Sequence, residues 1–213
     1  FKNRIFEYFA AATPGLTELL TIGKVWELAQ PDRLTKGAGA YDLVVVDAPA
    51  TGHALAMLEA PATFRRIARV GPINRQAGKI ASFLHDPQQT AIVAVATGEE
   101  MPVNETLSLQ KQLKERLDLK LDAVVVNNLE PQFFSEADSA QLRATETSPT
   151  VDAALRQIQR HAQQQEQLAR LRKNVKAPVL TLPYIYEKSI GRSELATLSA
   201  TLADDLGITP EGQ

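Results

Sequence analysis

Residues 41–58, YDLVVVDAPATGHALAML, join an apolar run to a loop of small residues and then to a helix-forming segment. The run at residues 43–46 is mostly β-branched and carries no polar side chain, which is typical of a strand covered on both faces of a parallel sheet. Such sheets place their functional residues at the carboxyl ends of the strands. Asp47 stands at that end of the predicted strand, and no large side chain follows it before His53.

Asp47 has two interpretations from this pattern. A carboxylate at the tip of an apolar strand is costly to bury without a partner. In nucleotide-hydrolysing sheets that partner is hydrated Mg²⁺, and the glycine-containing loop beyond it senses the terminal phosphate. The alternative is a residue that caps the strand or turns the chain, as in many α/β proteins.

The longer string at residues 47–53, DAPATGH, resembles the second switch of the anion-transporting ATPase family. This family includes the arsenite-pump ATPases and the tail-anchored-protein targeting ATPases, and its loop runs roughly D-T-A-P-T-G-H-T-L. Asp47, Thr51, Gly52 and His53 match in register, whereas Pro49 stands one place before the family's proline. The resemblance implies that these four residues are catalytic: Asp47 orients Mg²⁺ through its water shell, the Gly52 amide binds the γ-phosphate, and the loop changes shape after hydrolysis.

The composition of the chain limits its class. With 213 residues, 44% of them hydrophobic and 23% charged, the chain can bury one core of a single α/β domain over residues 1–213. Its net charge of −2 argues against nucleic acid as a partner. The absence of cysteine excludes disulfides and thiolate metal sites, and three scattered histidines argue against zinc. Without a signal-peptide pattern or a membrane-length apolar run, we expect a cytoplasmic protein.

Four apolar runs, starting near residues 43, 91, 123 and 179, predict the strands, and each gap between them holds helix. Connections of that length require crossovers. The predicted fold is therefore α/β, with a mostly parallel sheet flanked by helices. The resemblance makes it P-loop NTPase-like, incomplete, and interrupted by a helical subdomain.

The chain contains no phosphate-loop motif. Gly37 and Gly39 precede a predicted strand and lack the G-x-x-x-x-G-K-[ST] spacing, so we interpret them as turn residues. Backbone amides of a phosphate loop provide much of the binding to a triphosphate. Since the chain starts at Phe1 inside an amphipathic segment, we expect a fragment from the carboxyl-terminal part of an ATPase, inactive alone.

Residues 1–34 and 61–87 are predicted to form helical subdomain elements. The second segment reads as two helices divided at Gly71 and Pro72. In the targeting ATPases, the corresponding subdomain presents an apolar groove to a client helix. The apolar residues that would form such a groove here, or would otherwise belong to an ordinary core, are Phe9, Trp26, Phe64, Ile67, Val70, Ile73, Ile80, Phe83 and Leu84.

Two later segments resemble the segments that lie beside the adenine ring in this family. Asn127 follows the third predicted strand, and its amide has the donor and the acceptor that N1 and N6 of adenine require. Pro183 and Tyr184 follow the last strand, where the resemblance places a proline and its neighbour against the base. The alternatives are a polar turn at Asn127 and a surface tyrosine at 184. Between these segments, residues 148 to about 175 predict a long helix on which His161 is solvated.

Two functions remain open. The first is an ATP- and Mg²⁺-dependent ATPase that works as a homodimer, with a membrane-protein or hydrophobic-helix client. The second is an interaction scaffold derived from the same fold that no longer uses nucleotide. Cell-division and plasmid-partition ATPases are a further alternative, but their switch lacks the T-G-H string.

Overall fold

The computed structural model describes residues 15–35, 37 and 39–208. They divide into two compact units. The first comprises the described residues up to 91 together with 112–119, and the second comprises 92–111 and the described residues from 120 onward. Each unit has its own packing, and the predicted site residues fall into both.

The first unit is helical. Its helices are α1 (Leu16–Leu28), α2 (Thr51–Ile67) and α3 (Pro72–His85), and a π-helical turn at Leu113–Leu117 belongs to the same unit. Its buried core consists of Ile22, Met57, Ile80 and Leu84. These side chains come from all three helices, so the core holds them as one bundle.

The boundary between α2 and α3 is the predicted one. Gly71 precedes α3 with a positive φ of 97°, a conformation that favours glycine, and Pro72 occupies the first helical turn. Proline is tolerated there because its missing N–H would have no partner within the helix. The predicted division at Gly71 and Pro72 is confirmed.

The first predicted strand is wrong. Residues 43–49 form neither helix nor strand, and Leu43 and Val45 are 78% and 83% exposed. A strand of a parallel sheet exists only through hydrogen bonds to a neighbouring strand, and no described residue pairs with this run. Asp47 therefore follows an irregular segment instead of ending a buried strand.

The second unit contains the sheet. Its strands are β1 (Val93–Thr97), β2 (Ala123–Leu129) and β3 (Val179–Pro183), all parallel and in the order β1-β2-β3. Its helices are α4 (Glu100–Gln112), α5 (Glu136–Ala144), α6 (Pro149–Asn174) and α7 (Arg192–Leu206). The other three predicted strands are thus confirmed, each within two residues of its predicted start.

Burial within the sheet follows strand position. Val124, Val125 and Val126 of the central strand β2 are all buried, which explains its continuous apolar run. In the edge strand β1, Ala94 and Ala96 are buried while Val93 and Val95 are exposed. The chain is an α/β protein with a parallel sheet flanked by helices, consistent with a P-loop NTPase-like fold.

Helices α4 and α6 bring large apolar residues into the interior of this unit, where Val103 and Leu171 are fully buried. Ser148 caps α6 by accepting a hydrogen bond from the Val151 N–H, and Pro149 stands in its first turn, as predicted. Within the part of the chain that the structure describes, no helix combines the length and apolarity of a membrane span.

Candidate functional site

The segment with the predicted switch residues is exposed. Asp47, Gly52 and His53 all lie at the surface of the first unit. No described residue forms a hydrogen bond or an ion pair with the Asp47 carboxylate. The carboxylate is therefore available to an external partner, although it does not lie at the end of a strand.

Residues 51–53 form the first turn of α2. The preceding residue, Ala50, has no side chain that can cap the helix, and the first turn contains no acidic residue. The His53 N–H donates to the Ala50 carbonyl at 2.9 Å. The remaining amides at this helix end have no capping acceptor, which is the arrangement that binds anions in many proteins.

Gly52 has no structural requirement to be glycine. A Cβ atom built on it would meet no atom within 4 Å, and its φ is not in the left-handed region. Packing and backbone conformation therefore do not explain this glycine.

The predicted base-side residue Asn127 lies in the second unit, at the carboxyl end of β2, where it pairs with Thr97 of β1. The pairing of β2 with β3 is irregular between Val126 and Leu129. Asn128 has a φ of 60°, a left-handed conformation that asparagine tolerates better than most residues. Asn127 thus lies at a bulge, a feature that is frequent beside binding sites.

Gln164 of α6 stabilises this bulge. Its side-chain oxygen accepts from the Glu130 N–H at 2.7 Å, and its amide nitrogen donates to the Asn128 carbonyl at 3.2 Å. A single buried amide therefore satisfies one backbone donor and one backbone acceptor that the irregular pairing leaves free.

Gly98, immediately after β1, packs against residues of both the bulge and α6. A Cβ atom on Gly98 would lie 2.8 Å from Leu129 Cδ2 and 3.1 Å from Gln164 Cβ. A side chain at this position would force Leu129 or Gln164 to shift, so the close packing favours glycine.

Glu130 follows the bulge and is 6% exposed. Its carboxylate accepts hydrogen bonds from the Tyr186 hydroxyl and, at 2.9 Å, from Arg160 Nη1. Burial tends to raise the pKa of Glu130, but the hydrogen bonds from Tyr186 and Arg160 outweigh it and lower that pKa below its ordinary value. Glu130 is consequently a buried, ionised and paired carboxylate.

His161 is not simply solvated, contrary to the sequence prediction. It is partly buried, and its Nδ1 donates to the Glu130 carbonyl at 2.8 Å. The sequence pattern also gave no prediction for Glu130, Gln164 or Tyr186. The one available signal was a charged residue, Glu130, between an apolar strand and a proline, where a surface turn is the simpler interpretation.

Pro183 and Tyr184 lie beside the same bulge. Pro183 pairs with Leu129, and the Tyr184 N–H donates to the Leu129 carbonyl at 2.8 Å. The structure therefore brings Pro183, Tyr184 and the segment that follows Asn127 together at the carboxyl ends of neighbouring strands. Asp47, Thr51, Gly52 and His53 belong to the first unit.

Comparison with known proteins identifies the relatives of this chain. The family described as anion-transporting ATPase matches residues 2–79 and 67–204. The chain belongs to the anion-transporting ATPase family. This is a family of ATPases, in agreement with the resemblance of residues 47–53.

Individual relatives match this family member over part of their length. ATPase BagA of Mycobacterium tuberculosis is 34% identical over 144 residues, which are 65% of the chain and 41% of BagA. ATPase GET3 of Kluyveromyces lactis is 27% identical over 155 residues, 60% of the chain and 44% of GET3. The arsenical pump-driving ATPase of Escherichia coli is 28% identical over 131 residues, 59% of the chain and 21% of that protein. The chain thus spans less than half the length of these relatives.

The residues present in this family member suit a nucleotide-bound Mg²⁺. The described residues contain no cluster of three or more His, Asp or Glu side chains that could enclose a metal. Mg²⁺ in nucleotide sites commonly takes one or two carboxylates and completes its shell with phosphate and water. A single exposed carboxylate such as Asp47 is compatible with that kind of binding and not with a protein-enclosed metal.

Proposed function

We propose that the chain carries the phosphate-sensing switch and the base side of a cytoplasmic, ATP-hydrolysing ATPase of the anion-transporting or protein-targeting type. The observation that carries the proposal is the DAPATGH string at an uncapped helix end, in a chain that belongs to this ATPase family. Asp47, Thr51, Gly52 and His53 would form the catalytic switch.

In this proposal Asp47 would hold Mg²⁺ through its water shell, and the ion would neutralise charge on the phosphates of ATP. The exposed Asp47 carboxylate has no described protein partner that would have to be displaced. The Gly52 amide, in the first turn of α2, would donate to the γ-phosphate. The loop at residues 51–53 would change shape when that phosphate leaves.

The base would lie against Asn127, Pro183 and Tyr184. Two features support this: the three residues lie at the carboxyl ends of adjacent strands or directly after them, and the Tyr184 ring is partly exposed. The Asn127 side chain offers both a donor and an acceptor to adenine, and the aromatic ring offers a face on which a base can stack.

Substitution of Asp47 tests the catalytic part of the proposal. In the full-length protein we expect Asp47→Asn to lower Mg²⁺-dependent ATP hydrolysis by at least about a hundredfold, because a neutral amide does not hold the hydrated ion. The thermal midpoint should stay within about 1 °C of wild type, since the residue is exposed and unpaired. Steady-state phosphate release and circular dichroism measure the two quantities.

Asp42→Asn is the matched control, because Asp42 is an exposed carboxylate in the same irregular segment. It should hydrolyse ATP at the wild-type rate. Wild-type turnover by Asp47→Asn would show that the assignment is wrong. No hydrolysis by the wild-type protein would favour the scaffold alternative.

We also propose that these 213 residues alone bind Mg·ATP weakly, since they contain no phosphate-loop motif. Calorimetric titration of the chain with Mg·ATP tests this, and tight stoichiometric binding would place the phosphate site elsewhere in the chain.

We also propose that the full-length protein forms a homodimer and binds a membrane-protein or hydrophobic-helix client. Residues 1–34 and 61–87 would form the helical subdomain, and within it Ile67, Val70 and Ile73 are exposed apolar side chains at the junction of α2 and α3. An amphipathic or membrane-derived client helix would cover them. Sedimentation of the full-length protein tests dimerisation. Loss of binding to a hydrophobic helical peptide on Val70→Asp tests the surface, and unchanged binding would contradict it.

A further inference from the structure

We propose that Glu130 is a positioning residue that acts through Tyr186 to set the preference of the site for its base. This inference rests on the proposed function, because it assumes that a purine base lies against Asn127, Pro183 and Tyr184. It concerns residues that belong neither to the switch nor to the predicted base contacts.

Two side chains of α6 hold the backbone of Glu130 through hydrogen bonds. Its N–H donates to the Gln164 side chain at 2.7 Å, and its carbonyl accepts from His161 at 2.8 Å. Because both partners project from one helix, the peptide units around Glu130 have little freedom to rotate. The residue is a fixed point three positions after Asn127.

The carboxylate of Glu130 connects this fixed backbone to the segment after β3. Tyr186 donates its hydroxyl to one carboxylate oxygen and Arg160 donates to the other. Charge-assisted hydrogen bonds of this kind are stronger than neutral ones. The carboxylate is buried, so loss of either donor leaves one of its oxygens without a hydrogen bond, which is costly.

Tyr186 in turn restricts the position of the Tyr184 ring. The two rings are in edge-to-face contact with centroids 4.7 Å apart, and Phe133 contacts the Tyr186 ring from another direction at 5.7 Å. The Tyr184 N–H is bound to the Leu129 carbonyl at 2.8 Å. The Tyr184 ring is thus held through its own backbone and through Tyr186, both connected to the segment from Asn127 to Glu130.

This arrangement affects base preference more than overall affinity. Discrimination between purines requires that a hydrogen-bonding side chain and a stacking ring contact the same base simultaneously. Without the Glu130 to Tyr186 bond, the Tyr184 ring can turn away from the orientation that suits the Asn127 amide. The phosphate contacts proposed for residues 51–53 do not depend on this bond.

Calorimetry of the full-length protein with ADP, inosine diphosphate and pyrophosphate tests the inference, since the first two ligands differ only in the base. We expect Tyr186→Phe to reduce the preference for ADP over inosine diphosphate by roughly three- to tenfold. Pyrophosphate affinity should remain within about twofold of wild type. Glu130→Gln should change the preference in the same direction by a smaller factor, because its one amide oxygen can accept from only one of Tyr186 and Arg160.

Tyr186→Phe keeps the partly exposed ring and its aromatic contacts, so it remains informative if Glu130→Gln fails to fold. Glu166→Gln is the matched control, an exposed carboxylate on α6, and it should keep the wild-type preference. An unchanged preference in Tyr186→Phe overturns the inference, as does an equal loss of affinity for all three ligands, which indicates a general structural effect. A wild-type protein that binds none of the ligands contradicts the proposed function itself.

Discussion

The switch segment at residues 47–53 and the base-side bulge at residues 127–130 differ in how firmly the protein holds them. Asp47, Gly52 and His53 are exposed, and Asp47 has no described partner. At the bulge, side chains from α6 and from the segment after β3 bind the backbone and the Glu130 carboxylate. Segments that must change shape have few stabilising contacts, whereas segments that recognise a fixed ligand have many.

The two glycines show the same difference. Gly52 has open space where its side chain would be, whereas Gly98 lies against Leu129 and Gln164. Glycine at 98 is explained by packing within the second unit. Glycine at 52 is not explained by packing, which supports a role in binding.

The largest effect on stability should come from Gln164→Leu. The apolar side chain leaves the Glu130 N–H and the Asn128 carbonyl without partners, so we expect a loss of about 2–4 kcal/mol in the free energy of unfolding. Urea denaturation followed by circular dichroism measures it. Gln165→Leu, an exposed neighbour on the same helix, should change stability by less than about 0.5 kcal/mol. Equal effects of the two substitutions would show that the bulge is not the firmly held region.

A smaller loss should follow from Gly98→Ala. The added methyl group would force Leu129 or the neighbouring helix to move, at a cost of about 1–3 kcal/mol. Gly52→Ala should instead leave stability unchanged or raise it by up to about 1 kcal/mol, because alanine favours the helix and meets nothing. Thermal unfolding of both variants checks this, and destabilisation by Gly52→Ala would remove the contrast between the two glycines.

The smallest effect concerns acid stability of the first unit. Hydrogen bonds from Lys24 and Arg33 lower the pKa of Glu27 to about 2 from an ordinary value of 4.5. Since the folded pKa lies below the unfolded one, ionised Glu27 stabilises the fold fully above about pH 4.5, progressively less as the pH falls, and not at all below about 2.

The urea midpoints of wild type and Glu27→Gln should therefore differ near neutral pH and converge as the pH falls from about 4.5 towards 2. Glu18→Gln serves as the control, because Glu18 is a partly exposed glutamate of the same helix. A difference between wild type and Glu27→Gln that stays constant with pH would show that Glu27 acts through packing and not through its charge.

The sequence predicted the parallel sheet because continuous apolar runs of β-branched residues are typical of buried parallel strands, and residues 123–126 form such a strand. The same pattern gave a wrong prediction of a strand at residues 43–46, because four apolar residues do not show whether a neighbouring strand is present. The roles of Asp47, Thr51, Gly52 and His53, and of Asn127, Pro183 and Tyr184, remain predictions.

By itself, the sequence determined the order of the helices, three of the strands and the family, because periodicity, proline and glycine positions and short motifs are local properties of the chain. Only the tertiary structure decided that residues 43–46 form no strand, that Gly98 packs closely against Leu129 and Gln164, and that Glu130, His161, Gln164 and Tyr186 form one network. Those features depend on contacts between residues up to 66 positions apart. Such contacts arise from packing, which no short segment of sequence encodes.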